Sequence, residues 1–377
     1  MRNSVSQAPQ ETKRCKLLPA SMQRRTFLQT AAALAANAAA PQIPLGFDTY
    51  SLNRSGWKAI QFLDYAASQK LDTIQISSLG DFESLEPAHL QKVKDYAARV
   101  GILVETGMNS ICPSSASFDQ NLPDPAAFVL RGLQASKAVG STVMRCYLGD
   151  SRDRRGKIPI EGHIENTVKL LNSLRSRALD LGVKFAIENH SGDLQARELK
   201  TLITEAGTDF VGVCLDTGNP VLTIEDPLLT MEVLGPLAIT THMRDSVVYE
   251  HPRGAAMQWV AMGDGSIDFK PILALYRQLC PRVSFQLEVI TGRAPTVLPY
   301  FEPDFWQAYP KTPAADFARF VSLAKQGHPL MAPMLIAGGP SLPPEYQAAL
   351  RVQQRVDLER SFEYARKVLD VGIRWRG

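Results

Sequence analysis

Four short strand-like stretches in the second half of the chain each end in a side chain that can hold a metal ion or carry a proton. They are Val183–His190 (VKFAIENH), Val211–Asp216 (VGVCLD), Ile239–Arg244 (ITTHMR) and Ser284–Glu288 (SFQLE). Successive side chains on a strand point to opposite faces. One face of the first therefore carries Ala186, Glu188 and His190, while Phe185, Ile187 and Asn189 share the other. The same phase puts Gly212, Cys214 and Asp216 together, then Thr240, His242 and Arg244, then Ser284, Gln286 and Glu288. Each inner row thus closes on Glu188, Asp216, His242 or Glu288. A buried ring of three carboxylates and an imidazole is costly without a cation. One divalent metal offsets that cost. The oxygen-rich set suits Mn²⁺ best, then Mg²⁺, with Co²⁺ and Zn²⁺ also able to fit.

Other side chains share these inner rows. His190 follows Glu188 by two and is expected to bind substrate hydroxyls or brace a ligand, and Arg244 stands in the same relation to His242. Arg145 is a candidate for holding substrate, and Glu105 is a weaker acid/base candidate. Asp245 is expected to point outward and brace the chain.

The elements that must position these groups alternate regularly from residue 43. Strands are read at 43–50, 71–77, 102–106, 142–148, 183–190, 210–216, 238–244 and 283–290. Helical spacing runs through 57–69, 87–100, 125–139, 161–181, 195–206, 226–234 and 268–279. Eight strands alternating with helices argue a parallel sheet, and this size suits a (β/α)8 barrel, an α/β fold of the TIM type. Such barrels keep their active sites at the carboxyl ends of the strands, where all four ligand candidates lie. An open doubly wound sheet is the rival, but no Gly-rich phosphate loop follows the first strand.

Two segments exceed the minimal barrel. Residues 246–267, with Tyr249, His251 and Trp259, are expected to fold over the barrel mouth, Trp259 touching substrate. The barrel is read as 43–292, followed by a C-terminal extension, 293–377, ending in a helix over 343–369.

The first 42 residues read as a leader. Arg24-Arg25-Thr26-Phe27-Leu28 and the alanine-rich run 31–40 resemble a twin-arginine export signal, with either Met1 or Met22 as the start. The expected location is therefore periplasmic or exported. Of 41 basic and 38 acidic residues, six and one lie in the first 38, leaving 35 against 37, a net of −2. That balance offers no electrostatic reason to bind nucleic acid or an anionic membrane. No apolar run is long enough to span a bilayer. The five cysteines (Cys15, Cys112, Cys146, Cys214, Cys280) show no CxxC pair and read as buried thiols. The expected partner is a small carbohydrate, and a homo-oligomer stays open.

Ala-Ile-Glu188-Asn-His190, Val-Cys-Leu-Asp216-Thr-Gly-Asn219, Thr-His242-Met-Arg-Asp245 and Gly263-Asp-Gly-Ser-Ile-Asp268, followed by Gln-Leu-Glu288, resemble the xylose-isomerase-like sugar isomerase/epimerase family. The resemblance covers roughly 43–290. It implies a (β/α)8 barrel with one divalent metal held by Glu188, Asp216, His242 and Glu288. It also implies that Glu188 and Glu288 exchange protons beside a substrate carbonyl, while the metal stabilises the enediolate. Some epimerases place a substrate-binding histidine three residues after the matching aspartate. This chain has Asn219, a candidate substrate contact, in its stead. The leading expectation is a metal-dependent isomerase or epimerase of a small keto-sugar. A lyase acting on a 3-keto sugar derivative would use a similar intermediate, and a non-catalytic sugar-binding protein would use the same pocket. A nucleic-acid repair endonuclease shares the fold type but would need more histidine ligands and a basic groove.

Overall fold

The computed structural model describes residues 42–338 and 341–377. The export-signal reading lies outside them. Seven of the strands are β1 (Leu45–Asp48), β2 (Thr73–Ile76), β3 (Leu103–Ser110), β4 (Val143–Tyr147), β5 (Lys184–Glu188), β6 (Val211–Asp216) and β7 (Ala238–His242). After a hairpin of β8 (Asp245–His251) and β9 (Gly254–Val260) comes the eighth barrel strand, β10 (Phe285–Leu287). The parallel order is β10-β1-β2-β3-β4-β5-β6-β7. Met243 N donates to Gln286 O at 2.7 Å and Glu288 N to Met243 O at 3.3 Å, which joins the two ends of the sheet. The result is a nearly closed (β/α)8 barrel.

The helices are α1 (Ala59–Ser68), α2 (Pro87–Val100), α3 (Pro125–Val139), α4 (Ile160–Ser173), α5 (Arg175–Leu181), α6 (Ala196–Ala206), α7 (Pro227–Leu234) and α8 (Phe269–Leu279). Their sequence logic is an apolar stripe turned to the sheet. In α6 the buried set is Ala196, Leu199, Leu202, Ile203 and Ala206, at helical spacing. Asp124, Asp226 and Asp268 cap α3, α7 and α8 by accepting from backbone N–H groups one turn in. The single helix expected over 161–181 is two, broken at Leu174.

Inside the barrel the lining is polar and tight. A Cβ at Gly46 would lie 2.3 Å from Gln286 Oε1, so no larger residue fits there. Beyond the barrel, β11 (Thr296–Leu298) pairs antiparallel with β9, giving the hairpin a third strand. Then follow α9 (Ala314–Gln326) and the long α10 (Pro344–Lys367), close to the terminal helix expected from sequence. The extension is tied to the barrel at both ends. Gln354 donates to Asn53 Oδ1 at 3.0 Å, and Asp72 accepts from the backbone of Ile373 and Arg374, each at 2.9 Å.

Candidate metal centre

The alternation on β5, β6, β7 and β10 delivers Glu188, Asp216, His242 and Glu288 to one place. One ligand atom from each lies within 4.8 Å of the others, and all four residues are buried. His242 Nδ1 is 3.1 Å from Glu288 Oε2, 3.4 Å from Glu188 Oε1 and 4.0 Å from Asp216 Oδ2. The loop after β6 fixes Asp216. Gly218 N and Asn219 N donate to its Oδ1 at 2.6 and 2.7 Å, which leaves Oδ2 turned to the cluster. Glycine is needed at 218, because a Cβ would sit 2.8 Å from that of Arg244. Asn189, on the opposite face of β5, stitches β5 to β6 through 2.9 Å bonds in both directions with the Asp216 backbone.

Two guanidiniums enter the same space. Arg145 Nε donates to Glu188 Oε2 at 2.5 Å. Arg244 Nε donates to Asp216 Oδ2 at 2.7 Å, and its terminal nitrogen lies 2.7 Å from Glu288 Oε2 and 3.3 Å from Glu188 Oε1. Asn219 Nδ2 donates to Glu188 Oε1 at 3.0 Å. Burial would raise Glu188, but Arg145 and then His242 hold it well below the usual carboxylate range. Burial likewise opposes ionisation of Glu288, yet Arg244 and His242 bring it down to about 2. Asp216 goes the other way, pushed up to about 7 by burial against the pull of Arg244.

The first two strands supply what the sequence reading missed. Gln75, on β2, donates to Glu105 Oε2 at 3.1 Å and to Thr240 Oγ1 at 3.1 Å. A carboxylate only accepts, so the Gln75 amide nitrogen faces Glu105 and its Oε1 faces His242 Nε2, 2.6 Å away. His242 Nε2 must then carry a proton, and although burial opposes a second one on Nδ1, the facing carboxylates raise the imidazole's pKa well above its usual value. That Nδ1 is buried without a hydrogen-bond partner, as is Glu288 Oε2. Asp48, on β1, adds a carboxylate oxygen 3.5 Å from His242 Nε2, also unpartnered. The signal for both residues was present as Gly46-x-Asp48 and Thr73-x-Gln75, the same alternation on the first two strands.

A divalent cation fits this donor set. A bare imidazole nitrogen aimed at three carboxylates is repulsive, so His242 Nδ1 needs something positive there, either its own proton or a cation that takes the proton's place. With His242 neutral as a metal ligand, Asp48, Glu188, Asp216 and Glu288 counted as ions outweigh Arg145 and Arg244 by two charges, and one divalent ion closes that gap. Cys214 also lies near Glu188 and His242, but burial pushes its thiol up to about 12, so it stays a neutral thiol.

A cleft of about 990 Å³ opens over the cluster, lined by Arg145, His190, Asn219, Arg244, Trp259 and Glu288 among others. His190 stacks on Tyr147 with ring centres 3.8 Å apart and donates Nδ1–H to Gly149 O at 2.7 Å. Its Nε2 is therefore the lone-pair nitrogen, and burial, against Glu188, keeps the ring neutral by lowering its pKa. Trp259 packs over Arg244, 5.2 Å from ring centre to guanidinium, and so holds the arginine over the cluster. Tyr249 and His251, expected beside it over the mouth, are not in the lining. Glu105 is not there either. It was a candidate for touching substrate, and its place is behind Gln75, where its carboxylate fixes an amide. Asp245 braces the following loop, accepting from the backbone N–H of Ser246, Gly263, Gly265 and Ile267.

Replacing Glu105 by Leu removes the acceptor that orients Gln75. The expected result is a roughly 10–100-fold loss of divalent-metal affinity, the range seen when such outer partners are removed. Calorimetric titration of the folded variant checks it.

A (β/α)8 barrel with a carboxylate-histidine cluster at the carboxyl ends of its strands is the class these observations define. Residues 63–289 match the sequence profile of the xylose isomerase-like TIM barrel family, and the chain belongs to that family. Among solved structures, a D-psicose 3-epimerase crystallised with D-fructose superposes with a TM-score of 0.57 at 18% identity, over 87% of this chain and 99% of that one. The IOLI protein with a bound zinc atom does so with a TM-score of 0.53 at 16% identity, over 75% and 95%. By sequence, a 3-oxo-isoapionate decarboxylase of Pectobacterium atrosepticum is 20% identical over 221 residues, 58% of this chain and 72% of the relative. At these identities the two structures speak for the fold alone.

Proposed function

We propose that the protein is a divalent-metal-dependent isomerase or epimerase of a small keto-sugar, working through an enediolate. The observation that carries this reading is the unpartnered Nδ1 of His242 facing three carboxylates. Glu188, Asp216, His242 and Glu288 would hold the metal, with Mn²⁺ the best match to the ligand set. The cation would supply polarisation of the substrate carbonyl and offset the negative charge of the enediolate.

Glu188 and Glu288 form the acid/base pair, with unequal duties. Glu188 is tied to Arg145 and Asn219 and is not in the cleft lining, so it serves chiefly as a ligand. Glu288 lines the cleft and is better placed to take the proton from the carbon beside the carbonyl. Returning that proton to the neighbouring carbon, with the hydroxyl proton passing from one enediolate oxygen to the other, would complete an isomerisation, whereas proton delivery to the opposite face of the original carbon would invert the centre. Arg145, Arg244, His190 and Asn219 border the cleft and would bind hydroxyl oxygens, with Trp259 covering one side.

A lyase is the second reading. It is favoured by the decarboxylase relative and by the grip of Arg145 on Glu188, since decarboxylation needs no base to remove a carbon-bound proton. Incubation of the Mn²⁺-loaded protein in D₂O with a panel of ketoses and 3-keto sugar acids separates the two. Deuterium gained beside the carbonyl without loss of carbon supports the isomerase or epimerase, and loss of CO₂ supports the lyase. Neither change with any panel member would contradict both. We also propose export by the twin-arginine route, tested by replacing Arg24 and Arg25 with lysine and following the protein's location.

A further inference from the structure

We infer that the outer half of the cleft is a subsite for a second sugar ring, so that the substrate is a glycoside or disaccharide whose reacting unit lies over the four ligands. This inference rests on the proposed sugar chemistry for its inner half and on separate residues for its outer half. At about 990 Å³ the cleft is near the top of the roughly 300–1,000 Å³ range of small-molecule sites. A six-carbon sugar fills only a fraction of it. A polar recess of about 150 Å³ adjoins it, sharing Tyr50, Asn53 and Arg293.

The two halves differ in make-up. The end nearest the cluster is lined by Arg145, His190, Arg244 and Glu288, while the rest of the lining includes Tyr50, Trp57, Lys58, Asp81 and Arg293. Trp57 packs against Phe62 and Tyr65, with ring centres 5.8 and 5.5 Å away, and still lines the cleft. Tyr50 is 40% exposed. A pyranose or furanose ring has apolar C–H faces and hydroxyl edges. Aromatic rings flanked by an amide, an ammonium, a carboxylate and a guanidinium match both.

The outer wall is also built rather than loose. Residues 290–296 and Ala337 lie beyond the family-matched span 63–289. They are braced by Ala337 N donating to Gly292 O at 2.7 Å and Thr291 Oγ1 to Asp357 Oδ2 at 2.8 Å, and by the pairing of β11 with β9. The C-terminal extension thus closes a space that a free monosaccharide would leave empty.

The test is calorimetric binding of glucose, fructose, their methyl glycosides and a set of disaccharides (sucrose, lactose, cellobiose, trehalose) to the Mn²⁺-treated full chain. At least one disaccharide is expected to bind about tenfold or more tighter than its component sugars, the scale of an added aromatic contact. Trp57→Ala should erase that margin and leave monosaccharide affinity unchanged. Because Trp57 also packs on the core, Ala294→Trp, which fills the outer half from an exposed position, serves as the second variant and should block the disaccharide alone. Equal binding of monosaccharides and all disaccharides, or equal weakening of both by Ala294→Trp, would overturn the subsite. Metal content is measured on the same samples. A protein without metal that keeps the disaccharide margin would retain the subsite and lose the proposed chemistry instead.

Discussion

Glu288→Gln is expected to lower turnover by about 10³-fold or more, within the range that a positioned acid or base contributes, and added metal should not restore it. The side chain keeps its size but loses both a charged ligand and the proton carrier nearest the cleft. Glu188→Gln should also abolish turnover, with a second signature. Glu188 is fully buried and its partner Arg145 nearly so, and breaking a buried pair leaves a desolvated guanidinium without a counter-charge. That step typically costs roughly 3–5 kcal/mol. Glu188→Gln should therefore melt at a visibly lower temperature, whereas Glu288→Gln leaves Arg244 still paired with Asp216. Steady-state kinetics and thermal melting of both variants check this. Near wild-type turnover in Glu288→Gln would remove it from proton transfer.

Asp216→Asn and His242→Asn should lose metal affinity first and turnover as a consequence. Neither residue has a proton-transfer duty, so excess Mn²⁺ should recover part of the activity in both variants. In the wild type, metal present at about 100 times its dissociation constant should add about 2.7 kcal/mol of stability, because the ion binds the folded chain alone. Melting curves across a Mn²⁺ series read both effects. A wild-type curve indifferent to Mn²⁺, or variants that shift as far as wild type, would speak against the four-residue cluster.

Much of this was legible from strand alternation alone. Glu188, Asp216, His242 and Glu288 share one phase on four separate strands, and a barrel brings inward-facing residues at equal depth together. The same rule applied to β1 and β2 would have found Asp48 and Gln75. They were passed over because neither stretch ends in a cluster of candidate ligands. Glu105 shows where alternation runs out, since facing inward does not say whether a side chain meets substrate or another side chain. The ion pairs of Arg145 and Arg244 depend on how long side chains bend within the barrel, which spacing does not encode. The hairpin of β8 and β9 was legible as a long insertion, but its pairing with β11 joins segments separated by the whole of α8 and β10. The split of α4 from α5 at Leu174 has no glycine or proline at the break to announce it.

The central claim, that four side chains at the barrel mouth hold one divalent ion, is tested most directly by metal stoichiometry. Purified protein is stripped, reloaded with Mn²⁺, Mg²⁺, Co²⁺ or Zn²⁺ in turn, and assayed for bound metal by elemental analysis beside calorimetric titration. One ion per chain in the wild type, with affinity sharply reduced in His242→Asn, is the result expected. Wild-type protein that holds none of the four metals, or His242→Asn protein that binds them as tightly as wild type, would contradict it.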